Sequence, residues 1–186
     1  ASAYKENLVG KRILSSEISI DVYSLIGAGA YIVGEETAML ESIEGKRGMP
    51  RIKPPFPAIT GLFGKPTIIN NTETLASVPK IMRSEDGWYK NIGVGESEGM
   101  KMFCMSGHIN KPGNYEIPLG TPFRELLEMS GGVLDNKLLK AVIPGGSSVP
   151  VVKGEDMMSV NMDYESISKV GSMLGSGGVI IMDETT

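Results

Sequence analysis

In the stretch IGAGAYIVGEETAMLESIEG, residues 26–45, three glycines (Gly27, Gly29, Gly34) stand directly before two adjacent carboxylates, Glu35 and Glu36. Glycines let a main chain come close to something flat or charged. Their spacing, G-x-G-x₄-G, is not the G-x-G-x-x-G of a dinucleotide fingerprint, so an ordinary tight turn into a helix fits it as well. The carboxylates have two readings too. In a first helical turn they are favoured by the helix dipole and serve as caps. Aimed into a cleft, one of them accepts hydrogen bonds from ribose hydroxyls or a carboxamide. A carboxylate is badly placed beside phosphate, so a site built on it must send phosphate elsewhere.

Two further groups could take part. KRGMPRIKPPFPA carries Lys46, Arg47, Arg51 and Lys53, with Phe56 between prolines. Prolines stiffen the backbone and could present the ring to a nicotinamide or an adenine; alternatively this is a solvated surface loop with one buried Phe. Asn70 and Asn71 lie at a helix start, where side-chain amides and free backbone N–H groups bind phosphate, or where one Asn is a simple cap. His108 is the only histidine and has no partner at zinc-like spacing, so it reads as structural. The 12 methionines read as core fillers. Trp88 and Tyr89 read as packing residues at a domain junction. No Ser-His-Asp or Cys-His arrangement can be assembled.

The elements that must position these groups follow from periodicity and punctuation. EISIDVYSLI alternates, with Ile18, Ile20 and Val22 on one face, and predicts a strand. EETAMLESIEG predicts a helix with Gly45 as its stop. NNTETLASVPKIM predicts another, with Asn70 and Glu73 at capping-box spacing and Pro79 bending or ending it. Beyond about Gly93 the pattern becomes α+β. Strands flank Lys-Pro-Gly-Asn, where Pro112-Gly113 suits a type II turn. Next comes a short helix, TPFRELLEMSGG, with Thr121 as cap and Pro122 at its first position. KAVIPGG and GGVIIMDE predict further strands, with a helix in DYESISKVGSMLG between them. One helix then crosses a small sheet.

Length and composition bound the answer. The chain has 186 residues, 41% hydrophobic and 22% charged, with net charge −4. That describes one large or two small globular domains with no basic footprint for nucleic acid and no affinity for an anionic membrane surface. No apolar run is long enough to insert into a membrane. Cys104 is the only cysteine, which excludes an internal disulfide framework or a cysteine-built cluster. The chain opens without Met and stops at MDETT just after an apolar run, as expected of a piece of something longer.

Taken together, GAGAYIVGEETAMLESIEGKRGMPRIKPPFPAITGLFGKPTIINNTETLASV resembles the flavoprotein (F) subunits of NADH-quinone oxidoreductase, respiratory complex I. SGHINKPGNYEIPLGTPFRELLEMSGG resembles the ligand-binding β-grasp domain that follows in those subunits, and DYESISKVGSMLGSGGVIIMDET continues the match. NAD-linked formate dehydrogenase and hydrogenase diaphorase subunits share the motifs. The resemblance implies an α/β part, residues 1–95, of an FMN/NADH-binding domain. A ubiquitin-like β-grasp domain with a C-terminal extension, residues 96–186, follows it. It implies FMN and NAD(H) as cofactors and a 4Fe-4S cluster in the full-length subunit. Partners would be NADH, the other peripheral-arm subunits of complex I and, indirectly, quinone, at the cytoplasmic side of the inner membrane.

Residue by residue, the resemblance implies that Tyr31 walls the flavin pocket and that Gly34, Glu35 and Glu36 line the flavin and nicotinamide site. Glu36 would contact NADH and Glu35 would lie near the ring and ribose. Phe56 would stack on the adenine end, and Asn70, Asn71 and Thr74 would bond the ribityl-phosphate end of FMN. No residue is assigned an acid–base role, because hydride passes between two stacked rings. Val33 stands where the family usually has Cys, and SLIGAGAY replaces the usual His-Arg before the glycines. The family's upstream glycine-rich phosphate loop and its downstream cluster cysteines have no counterpart in these residues. The chain alone is therefore expected to bind FMN weakly or not at all and to lack dehydrogenase activity. Against this enzyme reading stands a non-catalytic β-grasp ligand-binding or interaction module, which would not need residues 27–74.

Overall fold

The structure, a computed structural model, describes residues 2–27 and 31–186, with the backbone alone at Tyr31 and Ile32. The chain divides into two compact units, residues 1–70 and 71–186.

The first unit is built from short helical pieces and long irregular segments. A one-turn helix α1 (Ser2–Lys5) opens it, a 3₁₀ turn spans Tyr31–Gly34, and α2 spans Glu36–Ile43. Helix α2 forms where expected because Glu35 caps it. One carboxylate oxygen accepts from the backbone N–H groups of Thr37 (3.0 Å) and Ala38 (2.8 Å) and from the Thr37 hydroxyl (2.7 Å). This satisfies donors a helix start otherwise leaves bare. Thr37, Ala38 and Leu40 are its buried face. At the other end, Gly45 has φ +77°, a left-handed stop that glycine takes without strain.

Residues 46–67 fold against α2 through one side chain. Arg51 donates to Glu41 (2.5 Å), Glu44 (2.8 Å) and the Gly61 carbonyl (3.0 Å), and its backbone N–H reaches the Thr37 hydroxyl (2.9 Å). Glu44 also accepts from Lys46 (2.7 Å) and the Phe63 N–H (2.7 Å). These donors, Lys46 first and then Arg51, hold its carboxyl down to about 2. Much of the basic run is thus a structural clasp.

The strand expected at Ile18–Ile20–Val22 does not form. Gly10 and Ile20 exchange one pair of backbone bonds (2.7 and 2.9 Å), and Ile18, Ile20, Val22, Leu25 and Ile26 are all exposed. Alternation favours a strand only where a partner strand pairs with it and a surface covers its apolar face. Among the described residues of this unit neither is present.

The second unit begins with α3 (Thr72–Ile81) and a two-stranded ribbon, β1 (Gly93–Val94) and β2 (Ser97–Glu98). Its centre is a five-stranded sheet made of β3 (Met100–Gly107), β4 (Gly113–Pro118), β5 (Leu139–Ile143), β6 (Val152–Lys153) and β7 (Gly178–Asp183), in the order β4-β3-β7-β5-β6. β3 and β7 are parallel; the other neighbours are antiparallel. The first and last strands of this sheet therefore lie side by side at its middle, the β-grasp arrangement. Helix α4 (Phe123–Met129) follows the β3–β4 hairpin, and α5 (Gly154–Met157) and α6 (Tyr164–Lys169) precede β7. Period-2 alternation sends Phe103 and Met105 of β3, and Val179 and Ile181 of β7, into one core with Phe123 and Leu126 of α4, Met162 and Ile167.

Three local expectations are corrected. Gly113 does not take the left-handed place of a type II turn: it is already strand, paired with Met105. The left-handed residue is Gly107, φ +85°, and the longer loop is tied to the end of α4 by Lys111 N–H to Ser130 O (2.8 Å). The cap of α4 is Pro122 rather than Thr121, whose hydroxyl donates to Pro118 O (2.7 Å) instead. Pro79 does not end α3, which continues to Ile81. Pro79 forgoes its own bond to the Leu75 carbonyl, but the turn after it still closes, with Met82 N–H donating to Val78 O (3.0 Å).

Candidate functional site

In the first unit the head of α2 gathers Gly34, Glu35 and Glu36. Among the described residues, a Cβ added at Gly34 would meet nothing within 4 Å, and its φ lies outside the left-handed range. Nothing in the fold of these residues requires glycine there, and the space beside its backbone is open. Glu35 is the locked carboxylate. The Thr37 hydroxyl, the Ala38 and Thr37 N–H groups and Lys53 hold its carboxyl below the usual range against a smaller effect of burial. Glu36 is the more exposed of the pair, with its side chain 42% accessible.

Lys53 bridges both, hydrogen-bonded to Glu36 and 3.7 Å from Glu35. The bond to Glu36 raises the Lys53 pKa. Sequence reasoning placed Lys53 in the basic run without assigning it to the carboxylates. The available signal was a lone lysine immediately before the Pro-Pro-Phe-Pro stretch, but 17 residues separate it from Glu36. A ligand that hydrogen-bonds Glu36 therefore meets a carboxylate already paired and oriented.

Phe56 is exposed on the proline loop, with its carbonyl accepting from Ile59 (2.9 Å) and Thr60 (3.0 Å). Tyr31 belongs to the 3₁₀ turn, but its side chain, like Gly29, lies outside the described residues. A cleft of about 460 Å³ in this unit is lined by Tyr23, Leu25, Gly27, Val33, Met39 and Ile43, among others. Asn70, exposed, closes the unit.

In the second unit the head of α3 carries Asn71 and Thr74, both exposed. The cap is Asn71, whose side-chain oxygen accepts from Glu73 N–H (2.9 Å). Asn70 lies one residue before it, so the capping box does not close. The Glu73 carboxylate turns to β3, accepting from Met102 N–H (2.6 Å) and from the Lys101 amine (3.2 Å). Among the described residues, the Asn71 amide NH₂ and the Thr74 hydroxyl make no hydrogen bond. A ten-residue helix therefore presents a neutral donor set at its positive end, with its first-turn acid already engaged. That set fits a phosphate, and the open backbone at Gly34 fits a flat ring. Each set, taken within its own unit, is chemically suited to one part of a flavin nucleotide. A second cleft, about 450 Å³, lies beside α3 between Trp88, Tyr89, Met100 and Met102. Trp88 and Tyr89 meet at a tilt of 54° with 6.2 Å between ring centres, and the Lys80 amine lies 5.4 Å from the Trp88 ring centre.

His108 is structural, as expected. Its Nδ1 lies 2.9 Å from Asp183 and 3.2 Å from the Asp183 N–H, joining the ends of β3 and β7. Among the described residues no group of three or more His, Cys, Asp or Glu is set to hold a metal.

Comparison with known proteins matches residues 2–80 to the Nuo51 FMN-binding domain and residues 102–161 to the SLBB domain. The chain is 52% identical to the NADH-quinone oxidoreductase F subunit of Rickettsia bellii, over 99% of this chain and 45% of that protein. It is 51% identical to the corresponding F 2 subunit of Rhizobium meliloti, over 100% of this chain and 44% of that one. It thus spans somewhat under half the length of these relatives. Among solved structures, an NAD⁺-reducing [NiFe]-hydrogenase in the H₂-reduced state matches with a TM-score of 0.80 at 32% identity. That match covers 94% of this chain and 30% of the other.

Proposed function

We propose that the chain is the part of an NADH-quinone oxidoreductase F subunit that presents FMN to NADH, a reading supported by its 52% and 51% identity to F subunits over 99% and 100% of this chain and by the match of residues 2–80 to the Nuo51 FMN-binding domain. The observation that carries the reading is Gly34. It is a glycine whose φ does not require one and which, among the described residues, has open space beside it, directly before a locked and an accessible carboxylate. FMN held by these residues would supply the chemistry, a ring able to take hydride from the reduced nicotinamide and to release electrons singly.

The residues of this chain supply position and electrostatics. Gly34 lets the ring approach the main chain, with Tyr31 as a wall. Glu36, oriented by Lys53, accepts hydrogen bonds from NADH. Glu35, kept ionised by its cap bonds, lies near ring and ribose and repels phosphate from that end. Phe56 stacks on the adenine, while Asn70, Asn71 and Thr74 take the ribityl-phosphate end. The functional division we propose is residues 1–95 for nucleotide binding and 96–186 for the β-grasp domain and its extension. On this division α3 serves the flavin, although it clusters with the second compact unit.

In the whole subunit the electrons would go to iron–sulfur clusters and on toward quinone. Cys104 is the only cysteine, so a 4Fe-4S cluster of the whole subunit draws its ligands from outside this chain. The partners are NADH and the other peripheral-arm subunits, at the cytoplasmic side of the inner membrane. No helix among the described residues is long and apolar enough to cross a membrane. The chain by itself retains little or no FMN and does not oxidise NADH. The higher identity to F subunits than to the hydrogenase favours complex I over a diaphorase.

The test is Glu36→Gln in a full-length F subunit within its complex. Losing a hydrogen bond to a charged group raises KM for NADH about tenfold or more, while FMN content stays at wild type. An unchanged KM with unchanged turnover would remove Glu36 from the site.

A further inference from the structure

We infer that Glu73 is a positioning residue for the flavin site: it bolts the head of α3 to the unpaired end of β3, making the β-grasp sheet the mount on which the phosphate-binding helix sits. The inference rests on the proposed role of α3 and concerns a residue to which that proposal gave none.

The geometry begins with a ladder that runs out. On its β7 side, β3 starts pairing at Cys104, whose N–H donates to Gly177 O (2.9 Å) and whose partner is Gly178. Two residues earlier the Met102 N–H points the same way, but β7 begins only at Gly178. A strand donor left without its ladder partner must find another acceptor, in protein or in water; Met102 itself is exposed. Glu73 does so at 2.6 Å, taking the position that a further β7 carbonyl would fill. Its second oxygen meets the Lys101 amine at 3.2 Å. The Lys101 side chain is only 12% exposed, and Glu73 is its ion-pair partner among the described residues.

A carboxylate in a first helical turn would be favoured by the dipole if it merely faced water, so the dipole does not explain why this one reaches a strand. The backbone of Glu73 is meanwhile held by the Asn71 cap. Glu73 is thus fixed at both ends, by Asn71 through its N–H and by β3 through its carboxylate, and Thr74 follows it directly. The orientation of the Asn71 and Thr74 donors is set by the β-grasp sheet.

The experiment measures FMN dissociation constants, by recovery of free-flavin fluorescence, on full-length F subunits in their complex. Folding is checked by circular dichroism, and exchange of the Met102 amide is followed by mass spectrometry. Glu73→Ala is expected to weaken FMN binding about tenfold and to speed Met102 exchange, with KM for NADH unmoved at saturating FMN. Glu73→Gln keeps an acceptor for Met102 but leaves the Lys101 charge unpaired, and is expected to fall between. Adding Lys101→Met to Glu73→Gln removes that unpaired charge and is expected to restore FMN affinity. Thr74→Ala tests the underlying reading separately. If Thr74→Ala weakens FMN while a folded Glu73→Ala binds within about twofold of wild type, the mount is refuted and the site stands. If neither moves the constant, the flavin reading of α3 fails as well. Should Glu73→Ala not fold, Glu73→Gln is judged by the same threshold.

Discussion

Gly34→Ala separates a glycine kept for a ligand from one kept for the fold. The φ of Gly34 is outside the left-handed range, and an added Cβ meets no atom within 4 Å. Alanine there is therefore unstrained and should, through the unfolded chain, leave stability unchanged or raise it by about 0.4–1 kcal/mol. Ligand binding responds oppositely. A flat ring lying on this backbone makes on the order of ten to twenty carbon-range contacts with it, each worth about 0.1–0.2 kcal/mol. A methyl group stands about 1.5 Å off the main chain and lifts the ring out of most of them. The loss is about 1–3 kcal/mol, or about 5–150-fold in Kd, and Gly34→Val should do at least as much. The assay pairs FMN titration of the full-length subunit with thermal melting of the 186-residue chain. Undiminished FMN affinity in both variants would refute the idea that backbone and ring meet here. A melting temperature lowered by several degrees would mean that Gly34 has a structural duty the geometry does not reveal.

Two further outcomes follow from the second unit. Gly107 has φ +85°, and a Cβ there would lie 2.3 Å from the Ile181 carbonyl oxygen. Gly107→Ala should lose about 3 kcal/mol or more, from the left-handed penalty plus the displaced β7 backbone, read as a lower urea midpoint at unchanged slope; an unmoved midpoint would contradict this. Asp183 is buried, and its carboxyl is held down to about 2 by the Thr185 hydroxyl first, then the Thr185 N–H, His108 and Lys137, against burial. A pKa depressed on folding gives stability that is present above the unfolded value of about 3.9 and is lost as pH falls from there through about 2. The urea midpoint of the β-grasp unit should fall across that window, and Asp183→Asn should flatten the fall. Equal acid dependence in both proteins would assign the effect to other carboxylates.

Much of this was readable in advance because much of it is local. Helix α2 was legible from its apolar spacing and Gly45, and the α+β pattern from hairpin, helix and returning strands; the β-grasp came from resemblance. These signals act within a few residues of themselves. The expectations that missed did so where a local pattern needed a distant partner or admitted two registers. Ile18, Ile20 and Val22 alternate correctly but have no neighbouring strand to complete them. Asn70 and Asn71 are both competent caps, and the structure uses the second. The flavin itself was never readable from glycine spacing; it came from resemblance, with the ordinary readings still open beside it.

The amino-acid sequence alone determined the start and stop of α2, the apolar faces of β3 and β7, the absence of enough cysteine for a cluster, and the kinship. Tertiary structure alone decided that Lys53 reaches Glu36, that Arg51 clasps Glu41 and Glu44, and that the acid read as half of a capping box holds the end of a strand instead. The physical reason is range. Capping, turn chemistry and periodicity are settled over a turn or two of chain. An ion pair between residues 17 apart, or a carboxylate bonded to a strand 29 residues away, exists only once the fold has closed the loop between them.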